Sequence, residues 1–180
     1  MVGNDIVDLK EAQNASNWQR PRYLDKLFTE LEQAFIKGAK NPFLMVWRLW
    51  SMKEASYKLY TQIHPSRFFN PKSFECTVVN NSGFVKFKDF QYYVETKITS
   101  NYIISEARLE RQKLNSEIIK FITTDYNNQR EELKSKLLGT VGRAYYLKKN
   151  EFNIPTLVCG KEQINLSLTH HGNYGAYAIG

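Results

Sequence analysis

Glu54 and Lys58 stand four residues apart in the segment Trp50-Ser51-Met52-Lys53-Glu54-Ala55-Ser56-Tyr57-Lys58. On a helix that spacing puts a carboxylate and an ammonium on one face, close enough to pair. Read alone, they fit an exposed ion pair, which contributes little. The setting argues for more, because Trp50 lies one turn earlier and the flanking positions are apolar. Charge in apolar surroundings is costly unless it is paired or bound to a ligand. A second carboxylate, Asp5, sits in Gly3-Asn4-Asp5-Ile6-Val7-Asp8. It reads either as the cap of a turn or as a ligand to a hard cation. Mg²⁺ takes one or two protein carboxylates and completes its shell with phosphate oxygens and water. Asp5 and Glu54 are the candidate pair. Asp8 lies at an odd offset from Asp5, which in a strand turns it to the opposite face.

A third polar cluster is Leu166-Ser167-Leu168-Thr169-His170-His171. Alternation in a strand puts Ser167, Thr169 and His171 on one face and His170 on the other. A packed or hydrogen-bonded role is the ordinary one for such histidines. Residue types alone permit a Ser-His-Asp triad, but no nucleophile-elbow sequence is present. A zinc site is unsupported, since the remaining histidine, His64, lacks ligand spacing.

The elements that must carry these residues follow from local signals. Val2–Leu9 reads as a short strand entering a turn. Thr29-Glu30-Leu31-Glu32 fits a capping box, and Gly38 ends the helix it opens. Asn41-Pro42 starts the next helix, with Asn as cap and Pro in the first turn. That helix is expected to run to about residue 61. It is apolar on more than one side and therefore central. Phe74–Val79, Phe84–Phe87 and Tyr92–Ile104 read as strands, with Asn81-Ser82-Gly83 as a hairpin turn. Residues 113–149 return to helical periodicity through Leu133, Leu137, Leu138, Val141 and Tyr145, interrupted by Gly139 and Gly142. Pro155–Cys159, Ile164–Thr169 and Tyr174–Ile179 read as strands. No internal repeat is legible. The order of elements predicts a single α+β domain over residues 1–180, with a long central helix on a mainly antiparallel sheet.

Composition narrows the class. A chain of 180 residues with 42% apolar content can bury a core without disulfides. Cys76 and Cys159 show no metal or secretory pattern and read as free thiols. Met1–Leu9 is too short and acidic for a signal peptide, and no apolar run is long enough for a bilayer. A cytoplasmic protein is expected, with no membrane partner. The net charge of +7 suits an acidic partner or a polyphosphate, or serves only solubility. The positive charges are scattered, with Lys148-Lys149 the densest pair, and no nucleic-acid motif is present, so no nucleic-acid partner is expected.

Together these segments resemble the signature of the 4'-phosphopantetheinyl transferase superfamily. Gly3-Asn4-Asp5-Ile6 is similar to its first motif and Trp50-to-Lys58 to its second. Leu166-to-His171, followed by Tyr174-Gly175-Ala176-Tyr177-Ala178, is similar to its third, a Ser-rich strand ending in histidine. Leu27-Phe28-Thr29 with the capping box, and Asn153-Ile154-Pro155, also fit. The resemblance implies a Mg²⁺ ion held by Asp5 and Glu54 against the pyrophosphate of coenzyme A. Glu54 or a metal-bound water would assist deprotonation of a carrier-protein serine, and Lys58 would neutralise the leaving phosphate. Lys53, Lys58, Ser167 and His170 would contact coenzyme A. An acidic acyl or peptidyl carrier protein would be the partner, as in a holo-acyl-carrier-protein synthase. The place of a second acidic residue found in surfactin-type members is taken by Val7. Residues from about 62 to 145 carry no motif and read as an insertion in a single half-domain. Self-association, as a trimer by analogy, would then complete the cleft. The alternative is an inactive relative, or a basic module that binds coenzyme A or nucleic acid.

Overall fold

The computed structural model describes residues 1–110 and 114–180. Strand β1 (Gly3–Asp8) leads into three short helices, α1 (Leu9–Ala15), α2 (Tyr23–Leu27) and α3 (Glu30–Gly38). The long helix α4 (Pro42–Ile63) follows, then β2 (Glu75–Val79), β3 (Ser82–Phe87), β4 (Phe90–Ile98) and β5 (Tyr102–Arg108). The rest of the chain comprises β6 (Asn115–Lys120), α5 (Tyr126–Val141), β7 (Tyr146–Lys149), β8 (Pro155–Cys159), β9 (Glu162–His171) and β10 (Tyr174–Ile179). This is the expected α+β class, with helices packed on antiparallel sheets.

The helix signals act as their chemistry requires. Thr29 and Glu32 form the reciprocal capping box of α3. Asn41 accepts the Leu44 amide at the start of α4, with Pro42 in its first turn. Val46, Leu49, Met52, Ala55 and Leu59 of α4 are fully buried against the first sheet. Each buried aliphatic side chain contributes roughly 1.5–3 kcal/mol relative to exposure, so this face fixes the helix in place.

Three expectations are revised. The first hairpin turns at Asn80-Asn81, with Val79 opposite Ser82 and Asn80 at φ 51°. Asn reaches that left-handed region more readily than most residues. Gly83 lies inside β3, where an added Cβ would sit 2.2 Å from the Thr77 carbonyl oxygen. Its role is close approach rather than the turn. The run 92–104 breaks at residues 99–101, where the Thr99 hydroxyl accepts the Asn101 and Tyr102 amides. Of the helical reading of 113–149, residue 113 lies outside the described residues, and over 114–149 it holds only for α5, flanked by β6 and β7. Gly142 caps α5 at φ 100°.

The largest revision concerns the whole chain. One sheet has the order β1-β5-β4-β3-β2 and the other β6-β10-β9-β8-β7. Each unit places its main helix after the first strand, and each first strand pairs antiparallel with the last. The registers correspond: Asp8 lies opposite Tyr102, and Lys120 opposite Tyr174. In the first unit the Leu9 amide donates to the Asn101 carbonyl at 2.9 Å. In the second, Phe121 donates to Asn173 at the same distance. The chain is thus a structural repeat, not one half-domain with an insertion. Residues 75–108 complete the first sheet, and 115–141 open the second unit. Each unit has its own apolar core, one around Leu49, Met52 and Val85, the other around Leu137, Leu157 and Tyr177. Ile6, Ile104 and Ala176 pack where the units meet. Cys76 is buried and Cys159 half-buried, both free.

Candidate active site

Strand β1 lies directly against α4 because Gly3 has no side chain. A Cβ there would be 1.9 Å from the Ala55 carbonyl oxygen. Gln62 clips the strand's start, accepting the Val2 amide and donating to the Val2 carbonyl. This contact brings Asp5, on the helix-facing side of β1, to the charged stretch of α4. Lys58 Nζ donates to Asp5 Oδ1 and to the Asn4 carbonyl, each at 2.9 Å.

The pairing differs from the one spacing suggests. Lys58 bridges to Asp5, 53 positions away, rather than to Glu54 one turn earlier on its own helix. The Glu54 carboxylate has no hydrogen bond or ion pair among the described residues. Burial, reinforced by the Asp5 charge and only partly offset by Lys58, pushes its carboxyl up to about 7. Two coupled carboxylates, one half-buried and unpartnered, form a donor set suited to a hard cation. Among the described residues no group of three or more His, Cys, Asp or Glu side chains could hold a metal ion by itself. Mg²⁺ fits such a two-carboxylate site because water and phosphate oxygens supply its other ligands. Asp8 is not part of it. Its carboxylate caps α1 through the Lys10 and Glu11 amides and accepts from Asn173. Val7 is in the core.

The second unit supplies the opposite wall. Strand β1 is the edge of its sheet, so alternate N–H groups face outward. These donate to side chains of β9: Asn4 to Ser167 Oγ (3.0 Å), Ile6 to Thr169 Oγ1 (3.2 Å) and Asp8 to His171 Nδ1 (3.1 Å). The expected alternation of β9 is observed, and its polar face seals the edge. Ser167 is therefore committed to β1, while its side chain still borders a cavity of about 280 Å³. That cavity lies between α4 and the 152–155 turn and is lined by Lys58, Arg67, Asn153 and Leu168.

His170 points to the other side of β9, into a groove of about 730 Å³ with Tyr126, Arg130, Lys134 and Lys149. Burial, then the Arg130, Lys58 and Lys149 charges, hold its imidazole below the usual range. Its Nε2 has no hydrogen-bond partner among the described residues. A neutral imidazole ringed by cations is an anion-binding arrangement. Arg130 and Lys149 escaped the sequence reading. Their only signal was the dense Lys148-Lys149 pair, and nothing in the sequence linked it to His170.

Lys53 does not join this site. It is buried, and its ammonium donates to both oxygens of Glu32 (2.7 and 2.8 Å) and to the Phe74 carbonyl (2.6 Å). Glu32 in turn accepts the Cys76 amide. With every proton taken, Lys53 ties α3, α4 and β2 together and is not available to a phosphate.

The first unit thus holds two carboxylates, with Lys58 on Asp5, and the second unit holds a groove with Arg130, Lys134, Lys149 and His170. The family model of the 4'-phosphopantetheinyl transferase superfamily matches residues 1–109, and the chain belongs to that superfamily. Phosphopantetheinyl transfer is the activity this membership carries. The matched stretch ends at the close of the first unit, so the β9 motif lies outside it. No curated protein matches the chain. Among the described residues no helix is long and apolar enough to cross a membrane.

Proposed function

We propose that this protein transfers 4'-phosphopantetheine from coenzyme A to a serine of an acyl or peptidyl carrier protein, with Mg²⁺, in the cytoplasm. The observation that carries the reading is the convergence of Asp5, Glu54 and Lys58 opposite the β9 wall. Asp5 and Glu54 would hold the ion, which when bound neutralises charge on the pyrophosphate. The 3'-phosphate and nucleotide end of coenzyme A suits the groove of His170, Arg130 and Lys149. Ser167 and Lys58 border the neighbouring cavity.

In the reaction the serine Oγ attacks the β-phosphorus of coenzyme A. A new P–O bond forms and the anhydride bond to the α-phosphate breaks, releasing adenosine 3',5'-bisphosphate. Glu54, or a water bound to the ion, would accept the serine proton. Lys58 donates to the oxygen that leaves with the α-phosphate, placing positive charge where negative charge develops. The net charge of +7 favours encounter with an acidic carrier. The chain's own second unit provides the wall that a half-domain would need from a neighbour, so the proposal requires no second subunit.

The test is incubation with coenzyme A, Mg²⁺ and an apo carrier protein, read by mass spectrometry. The expected result is a carrier heavier by one phosphopantetheine and stoichiometric release of the bisphosphate. Binding of coenzyme A without transfer to any apo carrier would overturn the proposal in favour of an inactive binding module.

A further inference from the structure

We infer that Thr169 is a positioning residue for Asp5, so that the second unit sets the cation affinity of a carboxylate carried by the first. The inference rests on the proposed Mg²⁺ role of Asp5. Thr169 differs from the other side chains that seal β1. Ser167 and His171 each take one strand amide. Thr169 Oγ1 takes the Ile6 amide and also donates its own proton to Asp5 Oδ1 at 3.1 Å. The hydroxyl is thus oriented by the backbone bond it accepts, and its proton is directed at the carboxylate.

Lys58 Nζ donates to the same oxygen at 2.9 Å. Two donors on Oδ1 fix the carboxylate plane. Among the described residues neither donor bonds Oδ2, which leaves that oxygen to a further ligand. The surroundings make the arrangement rigid: Thr169 and Asp5 are both at most 9% exposed. Partners that orient a ligating carboxylate typically govern metal affinity by about 10- to 100-fold. Positional freedom of Asp5 would also be limited by Gly3 against Ala55 behind it and by the β9 seal in front.

Three variants separate positioning from packing. Thr169→Val keeps the shape and loses the hydroxyl. Thr169→Ser keeps the hydroxyl. His171→Phe removes a neighbouring acceptor that does not touch Asp5. Calorimetric titration of Mg²⁺ into protein with saturating coenzyme A is the direct readout, with urea unfolding as the structural control. Thr169→Val is expected to weaken Mg²⁺ binding about tenfold or more, and Thr169→Ser to restore it to within about threefold. His171→Phe is expected to lower the urea midpoint while leaving Mg²⁺ affinity within about twofold, since its lost bond serves the backbone alone. If Thr169→Val binds Mg²⁺ like the wild type, or if His171→Phe weakens it equally, the inference is overturned. A wild-type protein that takes up no Mg²⁺ with coenzyme A overturns the metal reading and this inference with it.

Discussion

The two units share a strand order but treat the same position differently. Register places Asp5 of β1, opposite Ser105, where β6 has Glu117, opposite Tyr177. In the first unit the carboxylate meets Lys58 and the unpartnered Glu54 from the adjacent helix. In the second, Tyr177 donates its hydroxyl proton to Glu117 and lies 2.8 Å from Thr140 of α5. A carboxylate held by a neutral hydroxyl, rather than by an ammonium, is a different environment for charge. The penultimate strands diverge too. Ser167 and Thr169 of β9 correspond in register to Glu95 and Lys97 of β4. Short hydroxyls allow β9 to close on the edge of β1, whereas long charged side chains suit solvent. On the proposed function the two units separate labour: one presents the reacting groups and the other the wall that orients them.

The sharpest way to break this comparison is to remove a carboxylate from each unit. Asp5→Ala and Glu54→Ala should each lower transfer by about 10³-fold or more while the protein stays folded, as expected when several kcal/mol of transition-state stabilisation is lost. Glu117→Gln should keep turnover within about twofold, because it lies outside the site. Comparable losses from all three would mean the units are not specialised. Lys58→Ala comes next, with an expected 10²- to 10³-fold loss in kcat, the scale of a missing electrostatic group. A normal kcat with only a raised KM would show that Lys58 serves binding alone. The wall should behave in the opposite way. Arg130→Ala and Lys149→Ala should raise KM for coenzyme A about tenfold each and spare kcat, as lost uniform binding does. Activity per chain should also survive dilution to monomeric concentrations, checked by light scattering and initial rates.

A smaller effect tests the electrostatics without catalysis. The folded pKa of Glu54, about 7, lies above the ordinary unfolded value near 4.3. Its contribution to stability is therefore fully present below about pH 4 and is lost as pH rises through 7. Compared with Glu54→Gln in metal-free urea unfolding, the wild type should match it at the acid end. It should fall short by up to about 3 kcal/mol above pH 7. A difference that is constant with pH would place Glu54 in an ordinary solvated environment.

What the sequence disclosed was local. The capping box of Thr29 and Glu32, the Asn41-Pro42 start and the alternation of Ser167, Thr169 and His171 are readable because each depends on neighbours along the chain. Long-range choices were not. Lys53 lies beside Glu54 in a charged motif, and only the fold shows that Glu32, 21 positions upstream, claims it. Breaking that buried pair by removing one partner would cost roughly 3–5 kcal/mol, which marks it as architecture. The repeat was hidden because its units share register and backbone bonds rather than side chains. The dipeptides Asn101-Tyr102 and Asn173-Tyr174 are a faint trace, too short to stand out.

The seal on β1 also imposes an order of events in synthesis. Its amide partners lie 163 positions downstream, from Ser167 to His171. The first core, complete by residue 108, can condense while the later strands are still being made. Asp5 is then present yet lacks its Thr169 contact until residue 169 has left the ribosome. Contacts of such sequence separation form late and slowly. Nascent or prematurely terminated chains would therefore hold a packed first unit without competence in transfer.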